Sequence, residues 1–176
     1  MKKTMNILAL LLTVCMVFLL TACNKKQITA EKFVSVLEDN GLYGSIVSEV
    51  SEEYKTAGVV EGAYGTEPVE NSLYEAYYYR YASEEAATAK YKSVLEEYNN
   101  IVDNEVVTGT VDESGKGSMK RAQISANSAQ EVGELGLYSV TVQVDEVVVI
   151  LFAFDNTQEQ IEKIDSILKD CGYDYQ

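Results

Sequence analysis

Residues 147–154 read Val-Val-Val-Ile-Leu-Phe-Ala-Phe, eight apolar side chains in succession. Side chains alternate along a strand, so a strand of this composition is apolar on both faces and belongs in the middle of a sheet. Leu137 to Val144 precedes it, separated by Asp145-Glu146, which makes the pair a hairpin. That dipeptide lacks the glycine favoured by two-residue primed turns, so a four-residue loop including Val144 and Val147 is equally compatible. Leu73 to Tyr81 carries six aromatic or aliphatic residues and no breaker, and Met119 to Ala126 is a further strand. Ser45 to Val50 and Gly58 to Gly65 are shorter β-like runs, the second irregular or at an edge because of glycines 58, 62 and 65. Glu105 to Val111 alternates weakly. Asp112 to Ser118, with two glycines and no apolar residue, reads as the most flexible loop, and the polar Asn127 to Gly136 as another.

Helical spacing interrupts these strands three times. Thr29 caps a stripe of Ala30, Phe33, Val34 and Leu37 that Gly41 terminates, predicting a helix over 29–40. Ser83 caps a second, with Ala87, Tyr91, Val94, Leu95 and Tyr98 on one face, fading at Asn99-Asn100. Asn156 or Thr157 caps the last, with Glu159 or Gln160 closing a capping box and Ile161, Ile164, Ile167, Leu168 and Cys171 as its stripe. The order α-β-β-β-α-β-β-β-β-α predicts one α+β domain: an antiparallel sheet of about five to seven strands with three helices packed mainly on one face. Strand 73–81 with its helix matches strand 147–154 with its helix at an offset of 73, which duplication or convergent helical patterning would equally produce.

Charge and composition exclude several functions. The chain has 14 Lys+Arg against 28 Asp+Glu, for a net charge of −14. A phosphate backbone would be repelled, so no nucleic acid is expected as a partner. There is no histidine. That removes Ser-His-Asp and Cys-His catalysis and histidine-based zinc sites. No EF-hand spacing surrounds Asp155, Thr157 and Glu159, and Gly109, Gly115 and Gly117 lack the Gly-Lys-Ser/Thr that cradles phosphate, so neither a metal nor a cofactor is expected.

The N-terminus supplies an address. Lys2 and Lys3 precede Ile7 to Leu20, an apolar run of 14 residues broken only by Thr13. As a helix it would span roughly 21 Å, short of a ~30 Å hydrocarbon core, so it reads as an export signal rather than a resident span. Leu20-Thr21-Ala22-Cys23 resembles the lipobox of bacterial lipoproteins. The resemblance implies a cleaved signal at 1–22, Cys23 carrying a diacylglyceryl group, a tether at 23–28, and an acidic domain at 29–176 held by its lipid anchor at the extracytoplasmic face of the cell membrane. Cleavage would remove Cys15, Lys2 and Lys3 but no acid, leaving Cys171 without a disulfide partner. In outline the chain also resembles small lipoproteins of Gram-positive bacteria whose helix-sheet domain ends in a Gly-Tyr pair, here Gly172-Tyr173; that resemblance carries no catalytic motif.

Tyr74, Tyr77, Tyr78, Tyr79 and Tyr81 are the candidate ligand-binding residues. Tyr77, Tyr79 and Tyr81 share one face of their strand, while Tyr74 and Tyr78 share the other with Ala76. One set can pack beneath helices and leave the other to stack on a sugar or peptide. The adjacent acids Glu52-Glu53, Glu84-Glu85, Glu96-Glu97 and Asp112-Glu113 point apart, and none is by itself a catalytic dyad. Expected, therefore, is a non-catalytic binding or interaction module with a protein or envelope-polymer partner; the alternative is a small carboxylate-dependent hydrolase acting on envelope polymer. Two close, partly buried acids in a cleft would favour the hydrolase, and an exposed tyrosine patch without them the binder.

Overall fold

The computed structural model describes residues 27–69, 72–103, 107–128 and 136–173. The lipobox, Cys23 and most of the tether lie outside them. In chain order the elements are α1 (Ala30–Asp39), β1 (Tyr43–Ile46), α2 (Glu52–Thr56), β2 (Val59–Thr66), β3 (Tyr74–Tyr81), α3 (Glu84–Val102), β4 (Val107–Lys116), β5 (Met119–Ser128), β6 (Gly136–Val144), β7 (Val147–Ala153) and α4 (Gln158–Asp170). The chain is a single α+β domain with one seven-stranded sheet in the order β1-β2-β3-β7-β6-β5-β4, every neighbouring pair antiparallel.

The doubly apolar strand is central, as its composition requires. Val147, Val149, Leu151 and Ala153 of β7 point into the core beneath α1 and α4, together with Tyr74, Ala76 and Tyr78 of β3. Val148 points the other way, towards Ala87 of α3. Two of the three long helices thus cover one face and α3 crosses the other. Tyr98 of α3 is seated there on polar side chains: its hydroxyl lies 2.6 Å from Ser139 Oγ and 2.9 Å from Thr141 Oγ1, both buried.

The helix ends follow their caps. Thr29 Oγ1 accepts from the Lys32 amide at 3.3 Å, Ser83 Oγ from Ala86 at 3.2 Å, and Thr157 with Gln160 forms the capping box of α4. Gly41, at φ 76°, closes α1 while the Leu42 amide returns to the Leu37 carbonyl at 2.9 Å.

Several expectations are corrected. The run 112–118 is no flexible loop: β4 continues to Lys116, pairs with β5 from Val107↔Ser128 to Lys116↔Met119, and turns at Gly117, φ 65°. Its lack of apolar residues reflects exposure on both faces: residues 112–117 are all exposed, so polar side chains lose no hydration there while the backbone is held by β5. Of the two turns left open for Asp145-Glu146, the two-residue one forms, with Val144↔Val147 paired and Asp145 taking the positive φ of 51° that glycine usually supplies. Asx side chains tolerate that region better than most. Helix α3 continues past Asn99-Asn100 to Val102, and α2 falls where no helix was expected. Of the loop expected at 127–136, Asn127 and Ser128 end β5, Gly136 begins β6, and 129–135 lie outside the described residues. The 73-residue offset pairs Tyr77 directly with Ile150. The twofold axis of an antiparallel pair preserves the faces of the sheet, yet α3 and α4 lie on opposite faces, so the two strand–helix units are not related by that symmetry.

On the α1 side the sheet is thinned to admit the helix. A Cβ built on Gly65 would meet Leu37 Cδ1 inside contact distance and the Tyr43 carbonyl at 3.0 Å, and one on Gly44 would meet Val34 Cγ1 at 3.0 Å. Gly65→Ala should therefore cost ~1–3 kcal/mol by overpacking. An unchanged urea midpoint would show that α1 does not press on β2 as described.

Candidate functional site

The site arises from incomplete cover. Helix α3 packs on strands β3 to β7, whereas the short α2 packs on β2. Between them lies a cavity of about 260 Å³. Its aromatic lining is Tyr64 from β2, Tyr77 and Tyr79 from β3, and Tyr54 from α2. Val47, Val50 and Val59 supply aliphatic wall, Gly62 and Ala63 contribute from β2, and Glu49 and Ser51 are the polar residues of the lining.

Alternation along β3 places the aromatics. Tyr77 and Tyr79 are two residues apart on one face, and Tyr64 lies across the strand pair opposite Tyr77. Tyr54, Tyr79 and Tyr77 form a ladder of near-parallel rings: Tyr54 to Tyr79 is 5.7 Å between centroids at 17°, and Tyr77 to Tyr79 is 6.2 Å at 4°. Tyr54 and Tyr64 are 45% and 43% exposed, so the ladder is reachable from solvent. Tyr77 donates to Glu75 Oε2 at 2.7 Å. Burial, then the hydrogen bond to Glu75, pushes the Tyr77 phenol up to about 12, and burial followed by the bond to Tyr54 raises that of Tyr79. Both rings are neutral hydrogen-bonding groups at ordinary pH.

Five tyrosines were expected on chemical grounds, and the fold divides them. Tyr77 and Tyr79 line the cavity. Tyr81 shares their face but is buried against Val59, Ala87 and Val148, 6.4 Å from the Tyr79 centroid, and is not part of the cavity's described lining. Tyr74 and Tyr78 face α1 and α4, so alternation places them in the core rather than at a ligand site. Phe33 packs on Tyr78 at 5.7 Å, the Tyr78 hydroxyl is within 3.3 Å of the Ile28 carbonyl and 3.4 Å of Glu61 Oε2, and Lys163 Nζ sits 4.2 Å from the Tyr74 centroid. Sequence reasoning missed Tyr54, Tyr64 and Glu49. A five-residue helix is too short to display a period, and Tyr64 lay within a glycine-interrupted run. The one available signal for α2 was Ser51 ahead of Glu52-Glu53, with Lys55 three residues after Glu52.

The acids do not gather. Glu52, Glu53, Glu84, Glu85, Glu96, Glu97, Asp112 and Glu113 are all exposed, and Glu49 is the cavity's single carboxylate among the described residues. Cys171 is buried at the end of α4, and burial, with Asp170 beside it, pushes its thiol up to about 12. Cys171→Asp should cost several kcal/mol by burying an unpaired charge. The native thiol, located by peptide mass spectrometry, should label at least a hundredfold more slowly than in denaturant; equal rates would contradict its burial.

No protein-family model matches the chain, and no curated protein sequence matches it significantly. Among solved structures, the extracellular domain of PknH from Mycobacterium tuberculosis is similar at 11% identity and TM-score 0.41, covering 83% of this chain and 92% of that one. A GTP-binding regulator from Thermotoga maritima is similar at 13% identity and TM-score 0.41, covering 85% and 91%. Neither likeness bears on what this chain binds.

Proposed function

We propose that this protein is a membrane-anchored extracytoplasmic lipoprotein acting as a non-catalytic binding module, with the cavity between α2 and β2–β3 as its ligand site. The observation that carries the binding assignment is the ladder of Tyr54, Tyr79 and Tyr77 along a solvent-reachable, largely apolar cavity. Buried aromatics complete a core, but partly exposed ones around a concavity are the usual makings of a small-molecule or side-chain pocket. Hydrolysis is the weaker alternative, because a glycosidase positions two acids about 5–10 Å apart in its cleft, whereas the described lining holds one carboxylate, Glu49, and Glu75, outside that lining, is held by the Tyr77 hydroxyl.

Support for the anchor comes from Leu20-Thr21-Ala22-Cys23 and from how the chain enters the domain. The Ile28 amide donates to the Tyr173 hydroxyl at 3.1 Å, and Gln27 hydrogen-bonds to Glu146 in the β6–β7 turn. Three residues separate Cys23 from Gln27, so the four Cα–Cα steps reach at most ~14 Å. Tyr81, whose amide donates to the Glu146 carbonyl at 2.8 Å, lies at that same end of the sheet, two residues from Tyr79. A lipid on Cys23 would thus hold the cavity near the bilayer.

The test is binding without turnover. The chain has no tryptophan, so its fluorescence reports tyrosine. Full-length lipidated protein in detergent should give a saturable change with one class among wall glycan fragments, wall peptides and small organic solutes. Tyr79→Leu should remove the response, and the compounds should be recovered intact. Shortened fragments would establish the hydrolase instead, and no saturable change with any class would overturn the assignment.

A further inference from the structure

The chemistry of the cavity narrows what can occupy it. An anion is disfavoured, because no lysine or arginine is among its described lining residues. The nearest cation in sequence, Lys55, is engaged by Glu52 Oε1 at 2.7 Å. A neutral sugar carries several hydroxyls that each need a partner once desolvated. Against them stand Glu49, Ser51 and the phenol groups, and Tyr77 already donates to Glu75. A primary ammonium is compact and strongly hydrated, with three N–H groups to satisfy.

A quaternary ammonium has none of these needs. Its charge is spread over methyl groups that pack on aliphatic surface, it requires no hydrogen-bond acceptor, and aromatic rings attract it through their quadrupoles. Stacking turns the faces of Tyr79 towards Tyr54 and Tyr77, so Tyr64 and the outer faces of Tyr54 and Tyr77 supply the rings, Val47, Val50 and Val59 the aliphatic wall, and Glu49 a negative charge without a neutralising cation in the lining. A volume of about 260 Å³ is below that of drug-sized sites, which suits a group of a few heavy atoms. The net charge of −14 also draws cations towards the surface.

We infer that the tyrosine cavity binds a quaternary ammonium group, such as the trimethylammonium of choline-type compounds. This rests on the cavity being the ligand site. The same head occurs on free solutes and on lipid headgroups, and the location of the cavity near the anchored end of the domain makes both reachable.

The test uses full-length lipidated protein with ¹³C-labelled tyrosine rings, in nanodiscs of phosphatidylglycerol, titrated with choline, with ethanolamine, and with 3,3-dimethylbutan-1-ol, the neutral isostere of choline. Choline should shift the ring signals of Tyr54, Tyr77 and Tyr79 and bind at least tenfold more tightly than either comparison compound. Glu49→Gln, at an exposed position, should weaken choline severalfold and leave the isostere unchanged. Tyr54→Ala, also exposed, should weaken choline even if Tyr79→Leu fails to fold. In phosphatidylcholine nanodiscs, rings already shifted before choline is added place the bound cation on a headgroup, whereas an unaltered choline titration places it in solution. Equal binding of choline and its isostere would overturn the cation inference while leaving the cavity a ligand site. Choline shifts confined to residues outside the cavity would overturn it as well, and failure of every compound class in the fluorescence titration would remove the site itself.

Discussion

Raising the pH from about 10 to 12 should unfold the protein completely. Tyr81, Tyr138 and Tyr173 are each at most 4% exposed, and burial pushes each phenol up to about 12. Tyr78, Tyr91 and Tyr98, buried as well, are raised too, chiefly by desolvation. The unfolded chain ionises near 10. A folded pKa above the unfolded one means that the stabilisation is fully present below about pH 10 and is lost as the pH climbs towards the folded value. Each such group forfeits on the order of 2 kcal/mol at the end of that range. The six together forfeit about 12 kcal/mol, comparable with the ~5–15 kcal/mol that holds a domain of this kind. Circular dichroism and phenolate absorbance should therefore change together in one steep step. Phenols titrating smoothly near pH 10 in a domain that keeps its sheet would contradict the burial of these rings.

Cys23→Ala should move essentially all of the protein from the membrane fraction to the soluble one. Two acyl chains of about fifteen methylenes each contribute on the order of 20 kcal/mol of membrane affinity, and among the described residues no helix is long and apolar enough to substitute as a span. Once residues 1–22 are cleaved, Lys25 and Lys26 would remain, at ~1 kcal/mol each towards anionic lipid, too little to hold a chain that has lost Lys2 and Lys3 and is more acidic than the −14 of the full sequence. Metabolic labelling with a fatty acid should mark the wild type and not the variant. Equal labelling and equal retention of the two proteins would refute lipidation at Cys23.

The sheet was legible because β7 is apolar on both faces and because Thr29, Ser83 and Thr157 each cap a periodic stripe. What failed to show in the sequence lies where pairing, not side-chain pattern, stabilises the backbone. β4 is polar along residues 112–116 because both of its faces are exposed there, and its hydrogen bonds to β5 order a stretch that composition alone assigns to a loop. The candidate site was half visible. Alternation along β3 separated Tyr77 and Tyr79 from Tyr74 and Tyr78, but which set meets solvent depends on α3 stopping short of β1 and β2. That is a property of helix placement, which no local pattern records. Tyr54 reaches Tyr79 across 25 residues from a helix too short to announce itself.

The most direct measurement is the tyrosine-ring spectrum of the full-length lipidated protein, recorded before and after addition of the low-mass solutes of the cell envelope. The signals of Tyr54, Tyr77 and Tyr79 should shift saturably, and those of Tyr98 on α3 and Tyr138 on β6, buried outside the cavity lining, should stay in place. Shifts at Tyr98 and Tyr138 with the cavity rings unmoved would contradict a ligand site between α2 and β3.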